Sequence, residues 1–362
     1  MTERLTLDKL SDNPASEADF EEVQEYVGQV IPQVPYNEAA TRDTIRHFAL
    51  GLGDDNPLWS NLEYAKKTQF GDLAVPPTFI LSHNNACASM GLERMLRLGS
   101  YWDISWSERV NCGDELTSTS TLIEPELINR HRGGFVIKQN AETVYKNQKG
   151  VEVARAVCGT MRIPKRGTGG AGYSLREHSY TPEDIAKIEA NILAEVVRGD
   201  EPRYADEVTV GDTLQPIVKG PLTDMDSACW FAGYNIVSLG GPPLEIRVRS
   251  RAAEYMNIWA DQWDGHVDPN FASEMGMPGA WMSGPAVYSW MCQLLTNWCG
   301  DDGFVERLTA AIRKPSVVGD TIWYRGTVTR VEGRTVFFDL RGDNQVGERV
   351  ITGQASVLLP QR

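Results

Sequence analysis

The sequence has no excess of basic residues: 35 lysines and arginines face 49 aspartates and glutamates, which gives a net charge of -14. This balance argues against a general binder of nucleic acid or of anionic membranes, although a local basic patch for a polyanionic ligand is compatible with it. No run of apolar residues approaches the roughly eighteen that suggest a membrane span. The first residues, Met-Thr-Glu-Arg, do not form a signal-peptide pattern. We therefore expect a cytoplasmic protein that binds neither nucleic acid nor membrane.

Cysteine and histidine are also scarce, with six and five residues. The cysteines form no CxxC pair and show no metal-site spacing, so we expect buried, reduced thiols (Cys87, Cys112, Cys158, Cys229, Cys292 and Cys299). Four histidines lack partners at a catalytic spacing, and we assign them structural roles (His47, His83, His131 and His178). The string Asp261-x4-His266-x-Asp268 has a single histidine and no cysteine nearby, so we predict no metal site.

The strongest positive feature is a pair of related motifs, one in each half of the chain. In the later copy Asp261 is followed five positions on by His266, and in the earlier copy Asp54 is followed by Trp59 at the same spacing. An Asp and a His can act together on one water molecule, whereas an Asp and a Trp cannot. The motifs predict a duplicated module of which only the second half is catalytic.

The repeat extends beyond the motifs. Asp114 follows Asp54 by 60 residues, Asp320 follows Asp261 by 59, and each half ends in a β-rich run that leads into a proline. Matched spacing over such a length indicates an internal repeat. We predict four segments: an N-terminal segment (1–39), a first module (40–165), a linker with a short helix (166–203) and a second module (204–362).

Each half has one long helical pattern after its motif, Phe79–Leu98 in the first and Val287–Trp298 in the second. Thr181 and Pro182 predict the start of the linker helix. One helix that follows a loop motif and precedes several antiparallel strands is typical of a hotdog module, a sheet wrapped around a central helix. Because hotdog modules normally work in pairs, we predict an α+β double hotdog with its two sheets joined side by side.

The motifs resemble those of a known family. The string from Asp261 to Ala272, with Gly284 eighteen residues after His266, resembles the R-specific enoyl-CoA hydratase motif of MaoC-like proteins. It departs from the usual form at Trp263 and Asp264, where the family has Asn and Pro. The first half, with Gly53-Asp-Asp-Asn-Pro-Leu-Trp and Ala-Val-Pro-Pro-Thr, resembles the N-terminal MaoC-like dehydratase module and the dehydratase region of fungal fatty-acid synthases.

The resemblance implies a lyase of fatty acid metabolism. Such an enzyme reversibly hydrates a trans-2-enoyl-CoA to a (3R)-3-hydroxyacyl-CoA, without a metal or nucleotide cofactor and with coenzyme A only as part of the substrate. Asp261 and His266 would activate water, and the Gly284 N–H would hold the thioester oxygen. The other predicted substrate contacts are Ser283, Trp263 and Asp268. The first module would accommodate the acyl group, and a homodimer of double-hotdog chains is expected.

The eighteen-residue spacing from His266 to Gly284, applied to the first half, argues against a second active site. Eighteen residues after Trp59 is Pro77, which has no N–H to donate. Two other functions share the fold and the acyl-CoA ligand. One is a hotdog thioesterase, which usually needs an acidic residue on the central helix, and the other is a non-catalytic acyl-CoA-binding or partner subunit.

Overall fold

The computed structural model describes residues 11–32, 35–130, 134–164, 179–234 and 264–362. The predicted linker glycines 167–172 lie outside these ranges, as do Asp261 and Trp263. Ten strands are described: β1 (Val30–Ile31), β2 (Leu96–Trp106), β3 (Leu116–Arg130), β4 (Gly134–Asn147), β5 (Glu152–Ile163), β6 (Ile217–Lys219), β7 (Phe304–Ile312), β8 (Ile322–Glu332), β9 (Thr335–Asn344) and β10 (Arg349–Leu358).

Nine α-helices are described within the same ranges: α1 (Glu17–Gln24), α2 (Arg42–Gly51), α3 (Pro57–Ser60), α4 (Leu62–Ala65), α5 (Ile80–His83), α6 (Pro182–Leu193), α7 (Asp224–Tyr234), α8 (Pro269–Glu274) and α9 (Gly284–Cys299). Short 3₁₀ turns cover Pro77–Phe79, Ala205–Glu207 and Asp264–His266. The linker helix α6 begins as predicted, because Thr181 and Asp184 form a reciprocal capping box. No helix in the described ranges has the length and hydropathy of a membrane span.

The strands form one ten-stranded antiparallel sheet in the order β1-β3-β4-β5-β2-β7-β10-β9-β8-β6. The order is symmetric about the β2–β7 junction, where Tyr101 lies opposite Ala311 and Ser105 opposite Arg307. Outward from this junction, β5, β4 and β3 correspond in position to β10, β9 and β8. The predicted double hotdog with sheets joined side by side is thus confirmed.

Equivalent hydrogen bonds show that the repeat is structural as well as sequential. Asp114 accepts the Asn111 N–H at 2.8 Å and the side-chain amide of Gln148 at 3.0 Å. Asp320 accepts the Val317 N–H at 2.9 Å and the side-chain amide of Gln345 at 2.9 Å. Each aspartate therefore closes the turn that precedes a long strand and ties it to the next hairpin.

The second module has the predicted central helix. Fourteen of the sixteen residues of α9 are buried, including Val287, Met291 and Leu294 of the predicted buried face, whereas Trp298 is half-buried. The burial extends around the helix because strands β7–β10 pack on one side and the first module covers the other. The side-chain amides of Gln293 and Asn297, on the same helix, donate to the Glu195 carboxylate at 3.0 and 2.8 Å.

The predicted helix Phe79–Leu98 in the first module is wrong. The helical turns end at His83, and Leu96 already begins strand β2. In between, the side-chain oxygens of Asn84 and Asn85 accept the N–H groups two residues ahead, at 2.9 Å each. Such local bonds compete with helical ones. Ala86 also adopts a left-handed φ of 63°, which a helix cannot contain.

The six cysteines are free thiols, with Cys87 and Cys158 in contact at 3.0 Å between their sulfur atoms, and they differ in burial. Cys87, Cys158, Cys292 and Cys299 are buried, Cys112 is half-buried and Cys229 is exposed. The prediction of buried thiols is therefore wrong for Cys229, which lies on the outer face of helix α7.

Candidate active site

The two motif loops share one backbone frame. In the first module the Ala74 N–H donates to the Leu58 carbonyl at 3.1 Å, and in the second the Trp281 N–H donates to the Gly265 carbonyl at 3.3 Å. Leu58 and Gly265 immediately precede Trp59 and His266. The structure therefore places Trp59 and His266 at equivalent positions, as the motif comparison predicted.

His266 is held by the chain that leads into the central helix. Its Nδ1 lies 2.5 Å from the Trp281 carbonyl oxygen. Because a carbonyl oxygen can only accept, Nδ1 carries the proton in this bond, and Nε2 of the neutral ring keeps its lone pair. This tautomer makes Nε2 a proton acceptor.

Aromatic side chains surround the same imidazole. The Trp281 ring lies 4.8 Å from it and the Phe231 ring, from helix α7, lies 5.6 Å away, both measured between ring centroids. Burial disfavours the charged imidazolium, so the pKa of His266 falls to about 4, and the Trp281 carbonyl offsets only part of this shift. His266 is therefore neutral at physiological pH and available as a base.

Gly284 is the first residue of α9, where the backbone N–H groups have no acceptor within the helix. Pro285 and the N-cap Ser283 follow the predicted pattern, although the buried Ser283 side chain makes no capping bond. An N–H at the end of a sixteen-residue helix also benefits from the helix dipole. The position suits a donor to an anionic oxygen.

The packing around Gly284 leaves no room for a side chain. A Cβ on Gly284 would lie 2.5 Å from the indole ring of Trp102, in strand β2 of the first module. Trp102 is itself fixed, since its Nε1 donates to the Asn85 carbonyl at 3.1 Å. A side chain at position 284 is thus excluded by a tryptophan of the first module.

Asp268 is engaged as a helix cap. Its Oδ1 accepts the N–H groups of Asn270 at 2.8 Å and Phe271 at 3.3 Å at the start of α8, and the residue is exposed. Asn61 occupies the equivalent position in the first module and caps α4 in the same way. This shared role explains the residue without a ligand, and contact of Asp268 with substrate stays a prediction. Trp263, the remaining predicted substrate contact, lies outside the described residues.

In the first module the position equivalent to His266 has no histidine, and the position equivalent to Gly284 has no backbone N–H. Trp59 is buried at the histidine position, and Pro77 begins the 3₁₀ turn where Gly284 begins α9. The buried Asp54 accepts the Asn56 N–H at 3.2 Å. Burial raises its pKa to about 6, and the positive charge of Lys219 limits the rise.

A lysine of the second module closes this first-module loop. The buried Lys219 Nζ, from strand β6, donates to the Gly53 carbonyl at 2.9 Å and to that of Leu52 at 3.3 Å. The Trp290 indole, from the central helix α9, donates to the same Leu52 carbonyl at 2.9 Å. These bonds join the Asp54 loop to the second module and give it a structural role at the module interface.

Sequence reasoning missed three contributors to the site: the Trp281 carbonyl, the Phe231 ring and the Trp102 ring. Trp281 could have been found, because it precedes Gly284 by three residues, as Ala74 precedes Pro77. The other two depend on packing between elements distant in sequence. Among the described residues, no cluster of three or more His, Cys, Asp and Glu side chains is arranged to hold a metal ion.

Comparison with known proteins supports the assignment of the first module. The family model for the FAS1-like dehydratase domain region matches residues 25–156. A UPF0336 protein of Streptomyces avermitilis is 29% identical over 141 residues, which cover 37% of this chain and 90% of that protein. A UPF0336 protein of Streptomyces griseus is 32% identical over 106 residues, covering 27% of this chain and 70% of that protein.

Solved structures match both modules. A MaoC-like dehydratase has a TM-score of 0.67 at 17% identity, over 93% of this chain and 100% of that one. A conserved hypothetical protein of Mycobacterium tuberculosis with a double hotdog fold has a TM-score of 0.58 at 12% identity, over 94% and 97% of the two chains. The chain therefore belongs to the UPF0336 family through its N-terminal module, which is of the FAS1-like dehydratase type, and its two modules together form the double hotdog of MaoC-like dehydratases.

Proposed function

We propose that the protein catalyses the reversible hydration of a trans-2-enoyl-CoA to a (3R)-3-hydroxyacyl-CoA at the second module. The observation that carries the proposal is the bond from His266 Nδ1 to the Trp281 carbonyl. It leaves Nε2 of a neutral imidazole as a base, in the module whose central helix begins with Gly284. The stereochemistry and the thioester substrate follow from the resemblance of the motif to R-specific hydratases.

In the proposed reaction, His266 Nε2 takes a proton from water as the water oxygen bonds to C3 of the enoyl group. The electron pair of the double bond moves towards the thioester, and the Gly284 N–H stabilises the charge that develops on the thioester oxygen. The proton then passes to C2, which restores the neutral imidazole. Asp261 would hold the same water molecule and polarise it together with His266, as the motif implies. Dehydration follows the same steps in reverse.

The first module would accommodate the acyl group. Its central helix stops at His83, and residues 84–89 continue as an irregular buried segment in place of further helical turns. Because the central helix is shorter than α9, it fills less of the interior of its module, which favours binding of an acyl group there. This supports an acyl-binding role for a module whose own motif lacks a base and an oxyanion donor.

A thioesterase is less well supported. That activity usually depends on an acidic residue of the central helix, and α9 contains neither Asp nor Glu. Release of free coenzyme A is therefore expected to be absent, and it provides a direct test between the two reactions.

The experiment follows hydration of a medium-chain trans-2-enoyl-CoA, with product chirality by chromatography and free thiol as a parallel readout. We expect (3R)-3-hydroxyacyl-CoA, no thiol release, and loss of activity in His266→Asn. His83→Asn is the matched control, because the Nδ1 of His83 also faces a backbone carbonyl, that of Asn37, at 2.8 Å. Thiol release as the main reaction, or equal activity of the two variants, would refute the proposal. No turnover would favour the partner-subunit alternative.

A further inference from the structure

Two buried hydrogen-bond donors on helix α7 have no partner. Trp230 and Tyr234 lie one turn apart and are fully buried, with ring centroids 4.5 Å from each other. In the described part of the chain, nothing accepts from the Trp230 Nε1 or pairs with the Tyr234 hydroxyl. A buried polar group without a hydrogen bond destabilises the folded protein. Two such groups one turn apart on one helix can donate together to a single acceptor atom of a ligand.

Most other buried aromatic donors in the described ranges are satisfied, which makes this pair unusual. The indoles of Trp102, Trp106 and Trp290 donate to backbone carbonyls at 2.9–3.1 Å. The hydroxyls of Tyr145 and Tyr288 do the same at 2.6 and 2.7 Å. The indole of Trp59 is also unpaired, but it borders the Asp54 carboxylate.

The pair faces the interior of the first module. Trp230 packs edge-on against Phe48 of helix α2 at 5.7 Å, and Tyr234 packs against Tyr36 at 5.4 Å. Tyr234 also lies within electrostatic range of Cys87, which belongs to the irregular segment after helix α5. Helix α7, a second-module element, thus presents both donors where the first module lacks helical turns.

The same helix reaches the candidate active site. Phe231, the residue next to Trp230, contacts the His266 ring at a centroid distance of 5.6 Å. From Phe231 to Tyr234 the helix rises only about 4.5 Å. A thioester with its reacting carbons at His266 could therefore extend its acyl group along α7 to the two donors.

We propose that Trp230 and Tyr234 bind a carbonyl oxygen on the distal part of the acyl group, so that the substrate is a keto-substituted 2-enoyl thioester. An indole N–H can only donate, and a carbonyl oxygen has two lone pairs that can accept from both groups. This inference rests on the proposed hydratase function, and it specifies the substrate class of that site. A site built to hydrogen-bond a substrate oxygen discriminates strongly against analogues without it.

The test compares two 2-enoyl-CoA thioesters of equal chain length, one plain and one with a distal ketone. We expect kcat/KM of the wild type to be at least about tenfold higher for the ketone, equivalent to about 1.4 kcal/mol. Tyr234→Phe, which keeps the ring, and Trp230→Phe, which keeps a smaller aromatic ring, should each remove most of this preference by lowering kcat/KM for the ketone more than for the plain substrate. The matched control is Tyr288→Phe, which loses a satisfied hydroxyl and should not change the preference.

Melting temperatures and ligand binding distinguish a failure of the hydratase proposal from a failure of the keto-acyl inference. Tyr234→Phe removes an unpaired hydroxyl, so its melting temperature should equal or exceed that of the wild type, whereas Tyr288→Phe should melt lower. Binding of a saturated distal-keto acyl-CoA, measured by calorimetry, does not require catalysis. Binding that depends on Tyr234 without any turnover would refute the hydratase proposal alone. Equal use of both substrates by the wild type, or an equal effect of Tyr234→Phe on both, would refute the keto-acyl inference alone.

Discussion

The two motif loops have the same hydrogen-bonded frame and different chemistry. In the second module the frame presents His266, whose Nδ1 is bound to a carbonyl, beside a helix that begins with Gly284. In the first it presents Trp59, beside a turn that begins with Pro77. The comparison teaches that a duplicated loop can keep its backbone bonds after its reactive groups have been replaced. What remains in the first module is a packed loop that Lys219 and Trp290 tie to the second module.

The largest effect is expected from the aspartate and histidine of the second module. His266→Ala and Asp261→Ala should each lower kcat by about 10²–10⁴, because proton transfer from water depends on them. Asp54→Asn should leave kcat close to the wild-type value, since Trp59 and Pro77 stand in the first loop where the second module has His266 and Gly284. Steady-state kinetics on folded variants with matched circular dichroism spectra measure the difference. An equal loss in Asp54→Asn and Asp261→Asn would mean that the first module takes part directly in the reaction.

Two substitutions at Gly284 distinguish the effect of its backbone N–H on kcat from the effect of its packing on stability. Gly284→Ala keeps the N–H but places a methyl group against Trp102, and such overpacking should cost about 1–3 kcal/mol of stability. Gly284→Pro introduces the residue found at position 77 and removes the N–H. We expect its kcat to fall by a further factor of about 10²–10³ relative to Gly284→Ala, the usual effect of losing an oxyanion donor. Similar kcat values for the two variants would exclude the Gly284 N–H as that donor.

The comparison can be sharpened through the pH dependence of stability. Asp54 has a pKa of about 6 in the folded protein and an ordinary value of 3.8, so the folded state binds more protons between these values. The free energy of unfolding of the wild type should therefore fall as the pH rises from about 4 to 6, by up to about 1.36 kcal/mol for each pH unit. Asp54→Asn should be more stable than the wild type at pH 8, by about 1–3 kcal/mol, and nearly equal at pH 4.

Urea denaturation at the two pH values measures this effect. Asp55→Asn is the matched control, because Asp55 is the exposed neighbour in the same loop. A loss of stability at pH 8 in Asp54→Asn would show that the carboxylate is stabilised by Lys219 more than it is destabilised by burial.

The smallest effect concerns the two equivalent caps. Asn61→Ala and Asp268→Ala should each cost about 1 kcal/mol of stability, because each removes a side-chain acceptor from a helix N-terminus. Neither should change KM if both residues act only as caps. A several-fold increase of KM in Asp268→Ala, without one in Asn61→Ala, would show that Asp268 also contacts the substrate.

Much of the architecture could be predicted because it depends on local patterns. The strands before the two prolines, the α6 capping box and the start of α9 follow from alternation, turn residues and caps that act within a few positions. The equivalence of Trp59 with His266 followed from counting along the chain. The length of the first-module helix could not be predicted in this way. The apolar pattern of residues 79–98 does not reveal that the side chains of Asn84 and Asn85 accept backbone N–H groups two residues ahead.

The sequence by itself determined the duplication, the loss of a base and of an N–H donor in the first half, and the glycine at the start of α9. These are properties of residue identity and spacing. Only the tertiary structure decided the tautomer of His266, the contact of Gly284 with Trp102 and the burial of the Trp230 and Tyr234 donors. Each of these depends on a partner far away in sequence, such as Trp102 or Phe48, because a side chain's hydrogen bonds and packing are set by the elements that fold against it.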